Sequence, residues 1–296
     1  MSPEERLEFH VVDVFASTTF SGNPLAVVLG AEALTTRQMQ RLATEFNLSE
    51  TAFPLFGEPE VADAGADYRL RIFTPETEVP FAGHPSIGTA WLLRELGQVE
   101  PREGGFVQLC GAGALPVRFG GGALTLTGGR PQWSEPVDPS RVVAAAGLGV
   151  DDVVGPVLVC GTGLPFIIVR VQPDRLTSCE ADLAVLRSER VLGLGTDGVY
   201  VVAWDDLREP VRARMFAGDV IEDPATGSAA LGLGVYLCVT GVLPDGGSFS
   251  VVQGVEMGRP AHLSVTVEAL GRVPSELTVT GSAVAVASGR IAVPKA

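Results

Sequence analysis

The chain has 296 residues, 46% of them hydrophobic and only 19% charged, which describes a folded protein of one or two domains and excludes a disordered one. Its formal charge of -14 excludes the basic footprint that nucleic acid or an anionic membrane surface requires, and no apolar run approaches the roughly 20 residues of a membrane span. The only lysine is Lys295, so neither a pyridoxal-phosphate Schiff base, which needs an interior lysine, nor a phosphate-cradling P-loop fits.

The start, Met1-Ser2-Pro3-Glu4-Glu5-Arg6, is charged and lacks the apolar core of a signal peptide, and a cytoplasmic protein is expected. Short apolar strands follow, punctuated by Gly, Pro and Asp. They include Leu7–Phe15, Leu25–Leu29, Tyr68–Phe73 and Ala123–Thr127 in the first half. Phe166–Val171, Val199–Trp204, Ser248–Val252 and His262–Val267 are examples in the second. Thr35 and Gln38 stand at capping-box spacing, with Met39, Leu42, Ala43 and Phe46 on one face, so a helix begins at Thr35 and ends near Phe46–Asn47. A second helix takes Asp138 as N-cap and Pro139 as its first residue, ending near Gly147.

Two further helices expose an internal repeat. Arg69-Leu70-Arg71-Ile72-Phe73 is followed, after a loop, by His84-Pro85-Ser86-Ile87-Gly88-Thr89-Ala90. Arg212-Ala213-Arg214-Met215-Phe216 is followed, after a shorter loop, by Asp223-Pro224-Ala225-Thr226-Gly227-Ser228-Ala229. Each is a strand of the form R-x-R-[IM]-F leading to an apolar helix opened by [HD]-P-x-x-G-[ST]-A. The reading is two similar domains facing each other across a cleft: residues 1–122, completed by the C-terminal segment 283–296, and residues 123–282. The boundary lies in the glycine-rich stretch around Gly120–Gly129.

In each repeat a polar side chain precedes the helix-start proline, an N-cap-like place. Helix N-termini carry unpaired N–H groups and partial positive charge, so two of them converging in one cleft make a receptor for a carboxylate. His84 and Asp223 would flank that ligand. Histidines number only three, His10, His84 and His262, with no pair at helical spacing, so no histidine-rich zinc site and no other metal site is expected. Cys110, Cys160, Cys179 and Cys238 form no CxxC pair and read as buried thiols. Gly120-Gly121-Gly122 does not fit a dinucleotide fingerprint. Chemistry is left to carboxylates, hydroxyls, one histidine and backbone amides, without a cofactor.

Several blocks, in order along the chain, resemble the signature of the PhzF family of phenazine-biosynthesis-like isomerases. They are Phe20-Ser21-Gly22-Asn23-Pro24-Leu25-Ala26-Val27-Val28, Asn47-Leu48-Ser49-Glu50-Thr51-Ala52-Phe53, Phe81-Ala82-Gly83-His84-Pro85, Glu222-Asp223-Pro224-Ala225-Thr226-Gly227-Ser228-Ala229 and Gln253-Gly254-Val255-Glu256-Met257-Gly258-Arg259-Pro260. The resemblance implies an α+β fold like that of diaminopimelate epimerase: two similar domains, each a β-barrel-like sheet wrapped around a central helix, with the active site in the interdomain cleft. It implies Glu50 as the catalytic acid/base, with His84, Asp223 and Ser228 lining the site and Gly83 and Gly227 supplying close backbone approach. It also implies a homodimer acting on a small-molecule carboxylate. Asn23, after a turn glycine, either caps that turn or touches the ligand.

Glu50 precedes the apolar run Ala52-Phe53-Pro54-Leu55-Phe56, surroundings that disfavour the charged form of a carboxylate and suit it to exchanging protons. Diaminopimelate epimerases and proline racemases place a cysteine at the start of each central helix; here Pro85, Ser86, Ala225 and Thr226 occupy those regions. The expected reaction is a proton shift on one ligand carried by one carboxylate. The alternatives are a racemase or epimerase of an amino-acid-like substrate and a non-catalytic metabolite-binding protein on the same scaffold.

Overall fold

A computed structural model describes residues 6–102, 104–188, 193–196, 198–217 and 222–295. Residues 1–5, on which the reading of a charged start rests, lie outside the described residues, as do 218–221 in the shorter repeat loop. The chain divides into two compact units: residues 1–126 with 281–296 (unit 1), and residues 127–280 (unit 2). The division falls between Leu126 and Thr127 and again between Thr280 and Gly281.

Unit 1 contains β1 (Arg6–Val14), β2 (Asn23–Leu29), α1 (Thr36–Phe46), β3 (Glu50–Leu55), α2 (Pro59–Asp63), β4 (Tyr68–Phe73), β5 (Glu78–Val79), α3 (Gly83–Glu95), β6 (Gly105–Cys110), β7 (Gly113–Gly120) and β8 (Ala123–Thr127). Unit 2 contains β9 (Gln132–Trp133), α4 (Pro139–Val143), β10 (Leu158–Gly161), β11 (Pro165–Arg170), α5 (Pro173–Leu176), α6 (Leu183–Ser188), β12 (Val199–Ala203), β13 (Val211–Phe216), α7 (Gly227–Val239), β14 (Gly246–Gln253), β15 (Ala261–Leu270) and β16 (Val273–Gly281). The last strand, β17 (Ala283–Ala292), returns to unit 1 and pairs antiparallel with β1.

The repeat seen in the sequence extends to the order of strand directions. In unit 1, β1–β2 is antiparallel, β2–β3 parallel, β3–β4 antiparallel, β4–β6 parallel, and β6–β7 and β7–β8 antiparallel. In unit 2, β10–β11 is antiparallel, β11–β12 parallel, β12–β13 antiparallel, β13–β14 parallel, and β14–β15 and β15–β16 antiparallel. The two R-x-R-[IM]-F segments lie on the matching strands β4 and β13.

Each unit wraps its sheet around one helix. A helix apolar on every side must be buried on every side. In α3, Ile87, Ala90, Leu92 and Leu93 are buried together with Ser86 and Thr89, and the helix packs on β1, β2, β3, β7 and β17. In α7 every residue from Ala229 to Cys238 is buried, against β9, β10, β11 and β15. Glycines allow this closeness. A Cβ on Gly88 would lie 2.6 Å from Val14 Cγ2 and 2.7 Å from Leu25 Cδ2, and one on Gly232 would lie 2.8 Å from the Cys160 carbonyl oxygen.

Outside this layer in unit 1, α1 buries Met39, Leu42 and Ala43 against Val28, Phe53 and Phe73. Thr35 and Gln38 form the expected capping box, and Asn47 ends the helix in the left-handed region at φ 50°. Asp138 caps α4 through Ser140 N–H, and a single 3₁₀ turn carries the chain to Gly147. No helix among the described residues is long and apolar enough to cross a membrane.

Candidate active site

The ends of three elements in unit 1 bring three polar side chains together. Asn47 turns the chain out of α1 so that Glu50 becomes the first residue of β3, opposite Leu25 of β2. Its side chain is 18% exposed, with Oε2 buried. His84 is the second residue of α3, 5% exposed, and its Nε2 stands 3.4 Å from Glu50 Oε2. At that distance the two approach without the alignment of a hydrogen bond, and among the described residues His84 Nε2 has no hydrogen-bond partner. Asn23 opens β2, is wholly buried, and places Nδ2 3.4 Å from His84 Nδ1. Burial lowers the His84 pKa to about 3, so the imidazole is neutral at physiological pH.

In unit 2 Asp223 is buried and its N–H donates to the Met215 carbonyl at 3.0 Å, tying it to the end of β13. The Thr226 hydroxyl donates to Asp223 Oδ2 at 2.5 Å. Gln253, wholly buried, holds both residues: Nε2 donates to the Asp223 carbonyl at 2.7 Å and to Thr226 Oγ1 at 3.0 Å, while Oε1 accepts from Thr226 N–H at 3.3 Å. Tyr200 O–H completes the network by donating to Gln253 Oε1 at 3.0 Å. Burial, and then the charge of Asp223, push the Tyr200 pKa up, so its hydroxyl keeps its proton. Beside Asp223, Glu222 accepts two hydrogen bonds of 2.8 Å from Arg214, whose remaining Nη1 binds the carbonyls of Leu176 and Cys179. Gly227 and Ser228 open α7, the first buried and the second half-buried.

The expectation that His84 and Asp223 occupy N-cap-like places is corrected. The N-cap of α3 is Ala82 and His84 lies inside the first turn, where Pro85 costs no hydrogen bond because first-turn N–H groups have no helical acceptor. The N-cap of α7 is Thr226, so Asp223 stands before the helix. Eleven positions separate Phe73 from His84 and only seven separate Phe216 from Asp223. In the shorter connection Asp223 still bridges back to the strand, and Thr226, pinned extended by Gln253 and Asp223, delays the helix. Glu78 forms a two-pronged pair with Arg71 at 2.7 and 2.6 Å, the counterpart of Glu222 with Arg214.

Register also shows where the repeat stops. Thr51 pairs with Phe73 and Val199 with Phe216, so the place matching Glu50 in unit 2 is Gly198. A Cβ there would lie 2.7 Å from the Phe216 carbonyl oxygen. By the same register Leu164 matches Asn23. The four cysteines are buried thiols; burial pushes Cys160 up to about 12 and Cys179 up to about 11, and neither α3 nor α7 carries a cysteine in its first turn. Among the described residues no three His, Cys, Asp or Glu side chains come together as a metal cluster. A cavity of about 250 Å³ in unit 2, lined by Leu176, Trp204 and Arg212, includes neither Asp223 nor Ser228. Sequence reasoning missed the parts played by Tyr200, Arg214 and Gln253: Arg214 and Gln253 stood in quoted segments without a role, and nothing local marks Tyr200.

Comparison with known proteins adds the following. The sequence profile of a family described as phenazine biosynthesis-like protein matches residues 12–289. The trans-2,3-dihydro-3-hydroxyanthranilate isomerase of Pseudomonas aeruginosa is 34% identical over 95% of this chain and 97% of its own. The crystal structure of a Bacillus anthracis phenazine biosynthesis protein of the PhzF family superposes with a TM-score of 0.86 at 27% identity, covering 97% of this chain and 99% of that one. A hydroxyproline epimerase from Agrobacterium vitis superposes with a TM-score of 0.68 at 14% identity, covering 99% of this chain and 94% of that one, a likeness of fold alone. The α+β fold expected from the sequence is the fold of these neighbours.

Proposed function

This chain belongs to the phenazine biosynthesis-like (PhzF) family and is an isomerase, and from that premise we propose that it moves a proton within one small carboxylate-bearing metabolite without a cofactor. Glu50 is the general acid/base. The observation that carries this reading is the half-buried Glu50 carboxylate 3.4 Å from a buried, neutral His84. An imidazolium there would lock the carboxylate in an ion pair. A neutral ring leaves it able to accept a proton from a carbon of the ligand and return it to another atom of the same molecule. The proton and the shifted electron pair both stay within the ligand, so no oxidant or reductant is consumed.

Asp223, whose carboxylate is fixed by the Thr226 hydroxyl, and Ser228 serve as ligand-orienting groups in this reading. Gly83 and Gly227, as first residues of α3 and α7, offer side-chain-free backbone to a carboxylate, which helix N-termini favour. The substrate class follows the name of the P. aeruginosa relative: a dihydro-hydroxyanthranilate or a similar unsaturated ring acid. A cytoplasmic homodimer is part of the same proposal. A two-base racemase is less favoured, because the position matching Glu50 in the second repeat is Gly198 and the first turns of both central helices lack cysteine.

The test is turnover of trans-2,3-dihydro-3-hydroxyanthranilate by the wild-type protein and by Glu50→Gln, with ligand binding and melting measured alongside. Glu50→Gln is expected to fold and bind while losing at least about 100-fold in kcat, the lower end of what a positioned acid/base contributes. Turnover that survives the substitution removes Glu50 from the mechanism.

A further inference from the structure

We infer that Asn23 is a positioning residue that sets the tautomer of His84, holding the ring proton on Nε2, the nitrogen on the side of Glu50. This deepens the proposed role of the Glu50–His84 pair, and its test needs no turnover.

Asn23 is wholly buried at the start of β2, and its Nδ2 faces His84 Nδ1 at 3.4 Å. A carboxamide nitrogen only donates, so the ring nitrogen facing it must offer its lone pair. A neutral imidazole carries one proton; with Nδ1 bare it resides on Nε2. That nitrogen stands 3.4 Å from Glu50 Oε2, and an ionised carboxylate only accepts. The opposite tautomer would set donor against donor at Asn23 and lone pair against lone pair at Glu50. His84 is 5% exposed, which leaves little water to supply either partner, and burial keeps the ring neutral with a pKa of about 3.

The sequence suggests Asn23 as a turn cap or a ligand contact; the geometry gives it a different task. His84 presents an N–H and not a base to the proton-exchanging carboxylate. With its lone pair turned toward Asn23, the ring does not compete with Glu50 for the ligand's proton.

The experiment is a long-range ¹H–¹⁵N spectrum of ¹⁵N-histidine-labelled protein near pH 7. Only His10, His84 and His262 contribute, and the His84 signals are those that vanish in His84→Gln. The expected result is a protonated Nε2 and a bare Nδ1 in the wild type. Asn23→Asp, an acceptor at the same place, is expected to move the proton to Nδ1. Asn23→Leu, with no polar group, is expected to lose the Nε2 preference, whereas Glu50→Gln keeps it. A proton on Nδ1 in the wild type overturns the inference, as does a pattern unchanged in Asn23→Leu or one that follows Glu50→Gln. The wild-type spectrum decides even if an Asn23 variant does not fold. Failure of the isomerase reading would appear in turnover and leave these spectra unaffected.

Discussion

Acidification from pH 7 to pH 5 is expected to weaken unit 1 through His84. In the unfolded chain this histidine takes up a proton near its ordinary value of 6.5, while in the folded protein burial holds it at about 3. Between those two values the unfolded state binds a proton that the folded state refuses, so stability falls as the pH falls. The contribution is intact above pH 6.5 and is lost progressively on the way down to about 3. Each pH unit in that window is worth about 1.36 kcal/mol, so the fall to pH 5 costs about 2 kcal/mol, or about 30-fold in the opening equilibrium. The assay is amide hydrogen exchange, read by mass spectrometry on peptides spanning α3, in the wild type and in His84→Gln. Working on α3 peptides avoids treating two units as one two-state transition. The wild type should lose about 2 kcal/mol more than the variant over this range, because glutamine does not titrate. Equal pH dependence in the two proteins would refute the claim that His84 is buried and neutral.

Arg214→Met removes the guanidinium that binds both oxygens of Glu222 and leaves that carboxylate in a mostly buried place; unit 2 is expected to lose about 3–5 kcal/mol, measurable by urea unfolding. Tyr200→Phe deletes one donor to Gln253 and is expected to cost about 1 kcal/mol, whereas Gln253→Leu strands the Tyr200 and Thr226 partners and should cost at least twice that. Gly88→Ala pushes a methyl into Val14 and Leu25, and a loss of about 1–3 kcal/mol in thermal or chemical unfolding is expected from overpacking.

Local chemistry made much of this fold legible. The Thr35/Gln38 capping box, the Asp138-Pro139 helix start and the alternating pattern of Tyr68–Phe73 each depend on residues within one turn or one strand. The duplication was visible because R-x-R-[IM]-F meets the same structural demand twice: its second arginine, Arg71 or Arg214, clamps a glutamate in the connection that follows. What escaped depends on contacts distant in the chain. Where α7 begins is decided by Gln253, 27 positions beyond Thr226, and no pattern near Asp223 signals it. Asn23 reads locally as a turn cap or a ligand contact, and nothing near it signals its approach to His84, 61 positions away. The loss of symmetry at Gly198 also needs register, since one more glycine among 36 carries no signal by itself.

The pairing of β1 with β17 governs the order in which the molecule can be completed. Residues 127–280 are contiguous, so unit 2 has all its strands as soon as β16 leaves the ribosome. β1, made first, has β2 on one side, but its other edge stays open until residues 283–292 emerge, with Arg6 then meeting Ala292 and Phe9 meeting Gly289. About 270 residues separate the two events, roughly 15–50 s of translation at about 5–20 residues per second. Through that interval the growing chain carries an unprotected strand edge with Phe9, Val11 and Val12 along it, the kind of surface on which neighbouring nascent chains aggregate. Chaperone dependence should therefore track the first 126 residues, and a premature stop before β17 should give a soluble unit 2 trailing an unfinished, sticky N-terminal half.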